Sequence, residues 1–560
     1  MQPKLLALEL AILVWAVWVG RATSFDMLTP VVVTEQGRLR GSRNFQGQNR
    51  YYSIPYAVAQ RFQPPSSPPK WDGIYDAINP LKSCAQIFII FTIGYEDCLF
   101  LDVYTPEAVD PTRRLPVMVF FHGGGYFYGG KTLYNAEFLV EKNVIVVIIN
   151  YRLSVHGFLC VNGISNLGLR DQVAALKWIR RNIASFGGDP DNVTLFGQSA
   201  GAASAAMHFL SKESEGLFHK AILMSGTALT PWAFNSEPFL PSLEDARKIA
   251  KACNEEDIYR VFSNASLEEL VAATKDVSIN TRYFKYSPCV DTNATQPFFR
   301  DKPYHIIKSG KFNKVPTMIG YTDAEGITFY GLSDETDLKH FDKHFVDRIS
   351  SVFSWCSNKD RRKIAKIIRS HYFGRDPITR KSVRGLIDYY SDWMAHGTVH
   401  AFSRLLTRLS DRPVYNYQFT YTGLRNLIKI FTGVEMPGAA HSDDLFYLFK
   451  PAGLNLGISK EDRLLVDRIT TMFTNFMKYG DPTPSRTKLL PIAWPPATTN
   501  ASNIMKLDRT LSIIEGPSAN FFESILCEYG ESGYVPCDSA GKCSPRKRRR
   551  RRIRGEQCYV

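Results

Sequence analysis

The segment Val193-Thr-Leu-Phe-Gly197-Gln198-Ser199-Ala200-Gly201-Ala202-Ala203 limits the fold more than any other stretch of the chain. A short apolar run suited to a buried strand passes through Gly-x-Ser-x-Gly into small helix-forming residues. Joining strand to helix in so few residues forces a tight turn with a strained serine at its tip, where neighbouring side chains would collide. Gly197 and Gly201 meet that steric need. A hydroxyl held out at the end of a strand suits nucleophilic attack, so Ser199 is the candidate nucleophile.

The surrounding pattern supplies a scaffold for such a turn. Residues 117–121, 144–149, 193–196 and 221–224 are continuous apolar runs of the kind given by parallel strands buried on both faces. Between them, 171–184 sets Val173, Leu176, Ile179 and Ile183 at helical spacing. Alternating strand and helix predicts an α/β architecture whose chemistry gathers beyond the carboxyl ends of the strands. Residues 244–410 carry more charged helical segments and read as helices inserted over the sheet. No repeat or long linker divides the chain, so 23–536 is expected to be one catalytic domain.

A serine nucleophile needs a base and a pocket for the oxyanion. Phe120-Phe121-His122-Gly123-Gly124-Gly125 follows an apolar strand and precedes the serine turn. Consecutive glycines let backbone N–H groups converge on one point, so this loop is the oxyanion-hole candidate, with His122 as a scaffold residue beside it.

Several further stretches add to the turn and the glycine loop. They are Glu96-Asp97-Cys98-Leu99-Phe100-Leu101-Asp102-Val103-Tyr104, Asn150-Tyr151-Arg152-Leu153, Asn166-Leu167-Gly168-Leu169-Arg170-Asp171-Gln172 and Phe186-Gly187-Gly188-Asp189-Pro190. Together the chain resembles the type B carboxylesterase and cholinesterase family over residues 31–522. That resemblance implies an α/β-hydrolase fold, a large mostly parallel sheet flanked by helices, and a serine esterase acting on a small-molecule ester. It implies a Ser, Glu, His triad: Gly320-Tyr-Thr-Asp-Ala-Glu325-Gly326 looks like the acid motif and Gly438-Ala-Ala-His441-Ser-Asp-Asp444 like the histidine motif. Asp323 rivals Glu325, but only Glu325 directly precedes the glycine. The N–H groups of Gly124, Gly125 and Ala200 are then the oxyanion donors, Ser225 is a neighbour of the triad, and Trp232 is a substrate-pocket residue. The implied chemistry requires no metal or organic cofactor.

Departures from the family pattern narrow the choice. Most relatives carry Glu before the nucleophile, whereas this chain has Gln198. The loop between Cys84 and Cys98 holds no Trp, which disfavours a site for quaternary ammonium; Phe88, Phe91 and Tyr95 within it read as packing residues. Gly-Gln-Ser-Ala-Gly, with Arg61-Phe62 and the motifs above, is similar to insect juvenile hormone esterases and to esterases that degrade odorants, which implies an apolar ester. The rival class is a catalytically inactive, neuroligin-like extracellular binding module.

The ends of the chain bear on compartment. Residues 1–22 read as a signal peptide: Lys4, an apolar run from 5 to 19 too short to span a bilayer, and small residues at Gly20 and Ala22. No later apolar run spans a membrane, so a soluble secreted protein is expected. In an oxidising compartment the ten cysteines read as disulfides, Cys84 with Cys98 first. The resemblance implies a second disulfide at Cys253, but its usual partner is missing from 260–264, which leaves Cys253 free or paired with Cys289. Asn264, Asn293 and Asn500 head glycosylation sequons, whereas Asn192 opens a strand and is expected to be unmodified. Of the net charge of +14, eight positive charges lie between Arg546 and Arg554. That run suits contact with a polyanion, cleavage by a basic-specific protease, or simple solvation, and 537–560 is expected to be a disordered tail. Nothing else in the sequence points to nucleic acid.

Overall fold

The computed structural model describes residues 27–546 apart from 89–90, 107–111, 276–283, 293, 350, 453–456, 518–519 and 540. The expected signal peptide at 1–22, the sequon residue Asn293 and the basic run beyond Arg546 lie outside the described residues.

Twelve strands form one sheet: β1 Met27–Leu28, β2 Ser42–Arg43, β3 Asn49–Pro55, β4 Phe100–Thr105, β5 Leu115–Phe121, β6 Ile145–Ile149, β7 Gly188–Gln198, β8 Lys220–Met224, β9 Thr317–Thr322, β10 Val414–Phe419, β11 Ile504–Leu507 and β12 Ser512–Ile514. Their spatial order is β1-β2-β3-β4-β6-β5-β7-β8-β9-β10-β11-β12. From β6 through β11 every neighbouring pair is parallel, and the strands outside this block pair antiparallel. The expected α/β-hydrolase sheet is therefore present, with β5, β6 and β8 lying on the apolar runs and β7 reaching back to Gly188, which pairs with Leu115.

Alternation along each strand divides the core in two. Val117, Val119, Phe121, Val193, Leu195, Ala221 and Leu223 face one cluster. It is closed by helices α1, Leu167–Asn182, and α2, Ala200–His208. Met118, Phe120, Val146, Phe196, Ile222 and Met224 face the other, which a long helix, Lys460–Tyr479, covers with Leu465, Ile469, Phe473 and Phe476. Burying both faces is what makes these strands continuous apolar runs rather than alternating ones.

The helical excursion between β8 and β10 includes α3, Val383–Ser391, a π-helical turn, Asp392–His396, and α4, Gly397–Leu409. Two sequence motifs prove structural. Arg152 Nε and Nη2 donate to Asp171 at 2.8 and 2.7 Å, and the Arg152 N–H adds a third bond at 3.0 Å, locking the loop after β6 to α1.

Cys84 and Cys98 are bonded, as are Cys160 with Cys289, Cys356 with Cys543, and Cys527 with Cys537. This corrects three expectations. Cys289 is taken by Cys160, so it does not pair with Cys253, and Cys253 is itself disulfide-bonded rather than free. The segment expected to be a tail from 537 is held against the body as far as Arg546: two disulfides fix it, and the Arg546 N–H donates to the Trp355 carbonyl at 2.7 Å. In the Cys84 loop, Phe91 and Tyr95 are 67% and 55% exposed, so neither is a packing residue. The strand 91–93 pairs with 86–88 as a small hairpin, and its outward face carries Phe91 to solvent.

Candidate active site

The site is assembled where parallel strands end. Ser199 follows β7 with φ 56° and ψ −124° and sits at the N-cap of α2, a conformation strongly disfavoured for a side-chain-bearing residue. The Ser199 N–H is tied to the Met224 carbonyl at 2.8 Å. The turn survives because Gly201 lies flat against β5: a Cβ there would stand 1.9 Å from the Phe121 carbonyl oxygen. Ser199 Oγ makes no hydrogen bond among the described residues.

The loop after β5 faces this turn. Gly124 and Gly125 both have positive φ, 107° and 59°, so the backbone coils tightly beside Ser199. The N–H groups of Gly124 and Gly125 have no hydrogen-bond acceptor among the described residues, and the Ala200 N–H lies in the first turn of α2, where no intrahelical partner exists. His122 is fully buried, stacks on Tyr151 at 4.5 Å, and is pushed down to about 4 by burial despite its hydrogen bond to the Gly123 carbonyl. A buried ring held neutral in this way fits the scaffold role.

Glu325 lies just beyond β9 and is completely buried. One carboxylate oxygen accepts the Thr322 N–H at 2.8 Å and the Ser225 hydroxyl at 2.5 Å, and the other accepts a short bond from His441 Nδ1. Burial alone would raise this carboxyl; the charge and hydrogen bond of His441, with the Ser225 hydroxyl, more than offset it and hold Glu325 below its ordinary value. The Gly326 N–H donates to Ser391 Oγ at 2.9 Å, so α3 fixes the far side of the acid turn.

His441 arrives on the loop after β10. Asp323 accepts the Ala439 N–H at 2.8 Å, and the Ala324 N–H donates to the Ala439 carbonyl at 3.1 Å. The rival carboxylate thus anchors the histidine loop, while Glu325 touches the ring. Asp443 accepts the N–H groups of Ala440 and Ile428, at 2.8 and 2.9 Å, holding the same loop from below. On its other side, His441 Nε2 meets the carboxamide nitrogen of Gln198 at 3.2 Å, beside the serine turn.

Two aromatic clusters pack near the centre. Trp232 is fully buried, donates Nε1–H to the Met394 carbonyl at 3.0 Å and packs edge-on against Phe284, whose ring lies 5.8 Å from Phe127 beside Gly125. Phe329 lies 6.3 Å from the His441 ring and packs against Tyr390 and Trp393. Phe284, Phe329 and the anchor Ser391 escaped the sequence reading. Only Phe329, four residues after Glu325, had a nearby motif to draw attention to it. Of the sequon residues, Asn264 and Asn500 are exposed, and Asn192 accepts a hydrogen bond from Lys220.

Known proteins resemble this chain over most of its length. The carboxylesterase family model matches residues 28–524. A juvenile hormone esterase of Tribolium castaneum is 33% identical over 500 residues, covering 81% of this chain and 84% of the relative. Neuroligin-2 of Mus musculus is 31% identical over 81% of this chain, but the match covers only 60% of neuroligin-2. The crystal structure of juvenile hormone esterase from Manduca sexta, with OTFP covalently attached, superposes with a TM-score of 0.80 at 29% identity, covering 88% of this chain and 99% of that one. The chain belongs to the carboxylesterase family and is a carboxylic ester hydrolase.

Proposed function

We propose that the protein is a secreted serine esterase that hydrolyses apolar carboxylic esters through an acyl-enzyme, with Ser199 as nucleophile, His441 as base and Glu325 as its orienting acid. The observation that carries the reading is the buried Glu325–His441 hydrogen bond at the strand ends beside a strained, uncommitted Ser199 hydroxyl. His441, fixed with Nδ1–H toward Glu325, takes the Ser199 proton through Nε2 as the hydroxyl attacks the ester carbonyl. The oxyanion falls to the N–H groups of Gly124, Gly125 and Ala200, each worth about 3 kcal/mol in the transition state. His441 then protonates the leaving alcohol, and water, activated by the same ring, releases the acid.

The rings nearest the centre, Phe127 and Phe284 with Trp232 buried behind them, and Phe329 with Trp393, favour an apolar acyl or alcohol group. The juvenile hormone esterases among the relatives make a long-chain methyl epoxy ester the specific substrate to try first. Secretion is supported by the leader-like residues 1–22 and by disulfides suited to an oxidising compartment; no helix among the described residues is long and apolar enough to cross a membrane. Exposure of Asn264 and Asn500 suits glycosylation. The arginine run beyond Arg546 suits contact with a polyanion.

Labelling with an organophosphate tests the reading. We expect one label per chain and, in Ser199→Ala, loss of both label and turnover, the latter by more than about 10⁴-fold. A chain that takes no label would instead be a binding module of the neuroligin kind. Turnover of short aryl esters without the methyl epoxy ester would remove the hormone from the substrates.

A further inference from the structure

We propose that Gln198 is a positioning residue for the base: its carboxamide ties the glycine loop, the serine turn and the histidine loop together and gives His441 Nε2 a neutral partner. The inference rests on the serine-esterase reading above.

Gln198 is the last residue of β7 and only 3% exposed. Its side chain does not follow Ser199 toward the centre but turns across the end of the sheet. The amide nitrogen donates to Ser442 Oγ at 2.7 Å and lies 3.2 Å from His441 Nε2. The amide oxygen occupies the space a side chain at position 123 would need: a Cβ on Gly123 would stand 2.5 Å from it. One side chain therefore contacts all three segments that the sequence marks as chemical.

Two consequences follow from hydrogen-bond chemistry. Ser442 has φ 76°, a strained conformation directly after the base, and the bond from Gln198 helps hold it. With Nδ1–H donated to Glu325, Nε2 of the neutral ring presents a lone pair, and the Gln198 amide nitrogen 3.2 Å away has a hydrogen to give it. An N–H···N contact at this distance is weaker than an O–H···N bond, so the serine hydroxyl displaces it when substrate is bound, while the ring stays in plane.

Charge matters as much as geometry. The titratable groups around the histidine loop are Glu325 on Nδ1, Asp323 and Lys429 beside Gly438 and Ala439, Asp443 and Asp444 beneath with Tyr417, His396 behind the acid turn, and neutral His122 across the glycine loop. Burial, and then the Glu325 charge, push Asp444 upward, so the site does not favour a second carboxylate close to Glu325. At Nε2 a carboxylate in place of the amide would stabilise the imidazolium and hold the base protonated to higher pH. The amide brings no such charge to Nε2.

The test is the pH profile of kcat and KM for the full chain, with folded sites counted by organophosphate labelling. Gln198→Glu is expected to move the acid limb of kcat/KM upward by about one pH unit or more and, since a carboxylate has no hydrogen to give Nε2 of the neutral ring, to lower turnover on the alkaline side as Gln198→Leu does. Gln198→Leu is expected to leave that limb in place but lower kcat by about tenfold or more, at nearly constant KM, because the ring loses its holder. An unmoved limb in Gln198→Glu, or an unchanged kcat in Gln198→Leu, overturns the inference. Ser199→Ala, measured alongside, separates the two levels. An active Ser199→Ala defeats the serine reading and this inference with it, whereas a dead Ser199→Ala with silent Gln198 variants defeats only the inference.

Discussion

Asp171 and Glu325 are both fully buried carboxylates bonded to a basic side chain, yet one builds the scaffold and the other faces the chemistry. Asp171 receives three bonds, all from Arg152, whose guanidinium also donates to the Gln63 carbonyl at 2.7 Å. A guanidinium does not lose its proton, so this pair is a fixed ionic staple. Glu325 meets an imidazole, which has a second nitrogen, and that nitrogen is turned toward the serine end of the sheet. The lesson is that burial and pairing alone do not mark an active site. What distinguishes Glu325 is a partner with a second ring nitrogen free to face the strained Ser199 turn.

Substitutions can push this contrast to failure. The largest effect is expected at Glu325→Gln, which keeps the shape but removes the charge facing Nδ1. Turnover should fall by about 10⁴-fold, a far larger effect than the accompanying drop in the unfolding midpoint, as read by steady-state kinetics beside a thermal melt. Asp171→Ala should do the reverse. Leaving the Arg152 guanidinium buried without its counter-ion costs about 3–5 kcal/mol in stability, visible in denaturant unfolding, while each folded molecule still takes one organophosphate label. A loss of activity per folded site in Asp171→Ala would show that the staple is part of the machinery.

The smallest effect is expected at Ser225→Ala, which removes one bond to an ionised acceptor, worth about 1.5–3 kcal/mol. Because the folded state holds Glu325 below its ordinary value, the stability it contributes is present above about pH 4.3 and is lost as pH falls through the folded value. Without the Ser225 hydroxyl the folded value rises toward the ordinary one. Acid unfolding of Ser225→Ala should therefore begin at higher pH than in the parent, and coincident acid transitions would remove Ser225 from the account.

The central sheet was legible because strands buried on both faces leave continuous apolar runs, as at β5 and β6. The segment that carries Ser199 was legible because a tight turn dictates its local pattern, whereas those that carry Glu325 and His441 were legible through resemblance to the family's acid and histidine motifs. Phe284, Phe329 and Ser391 were not, since their roles depend on where the helical excursion lands on the strand ends. The Cys160–Cys289 bond spans 129 residues, and no local spacing announces such a pairing. Gln198 was visible as a missing negative charge, but its reach to Ser442 needed the three-dimensional fold. The anchored segment up to Arg546 looked like a tail because it lacks apolar periodicity; disulfides, not hydrophobic burial, fix it.

The close approach of Gly201 to β5 carries a warning for anyone sorting relatives into working and silent enzymes. With only 1.9 Å between an added Cβ and the Phe121 carbonyl, a side chain there would wedge α2 off the sheet whether or not any ester is ever cleaved. A descendant that abandoned hydrolysis for adhesion would still be obliged to keep this glycine. Its presence vouches for the architecture alone, and the evidence of catalysis has to be sought in groups the architecture could spare.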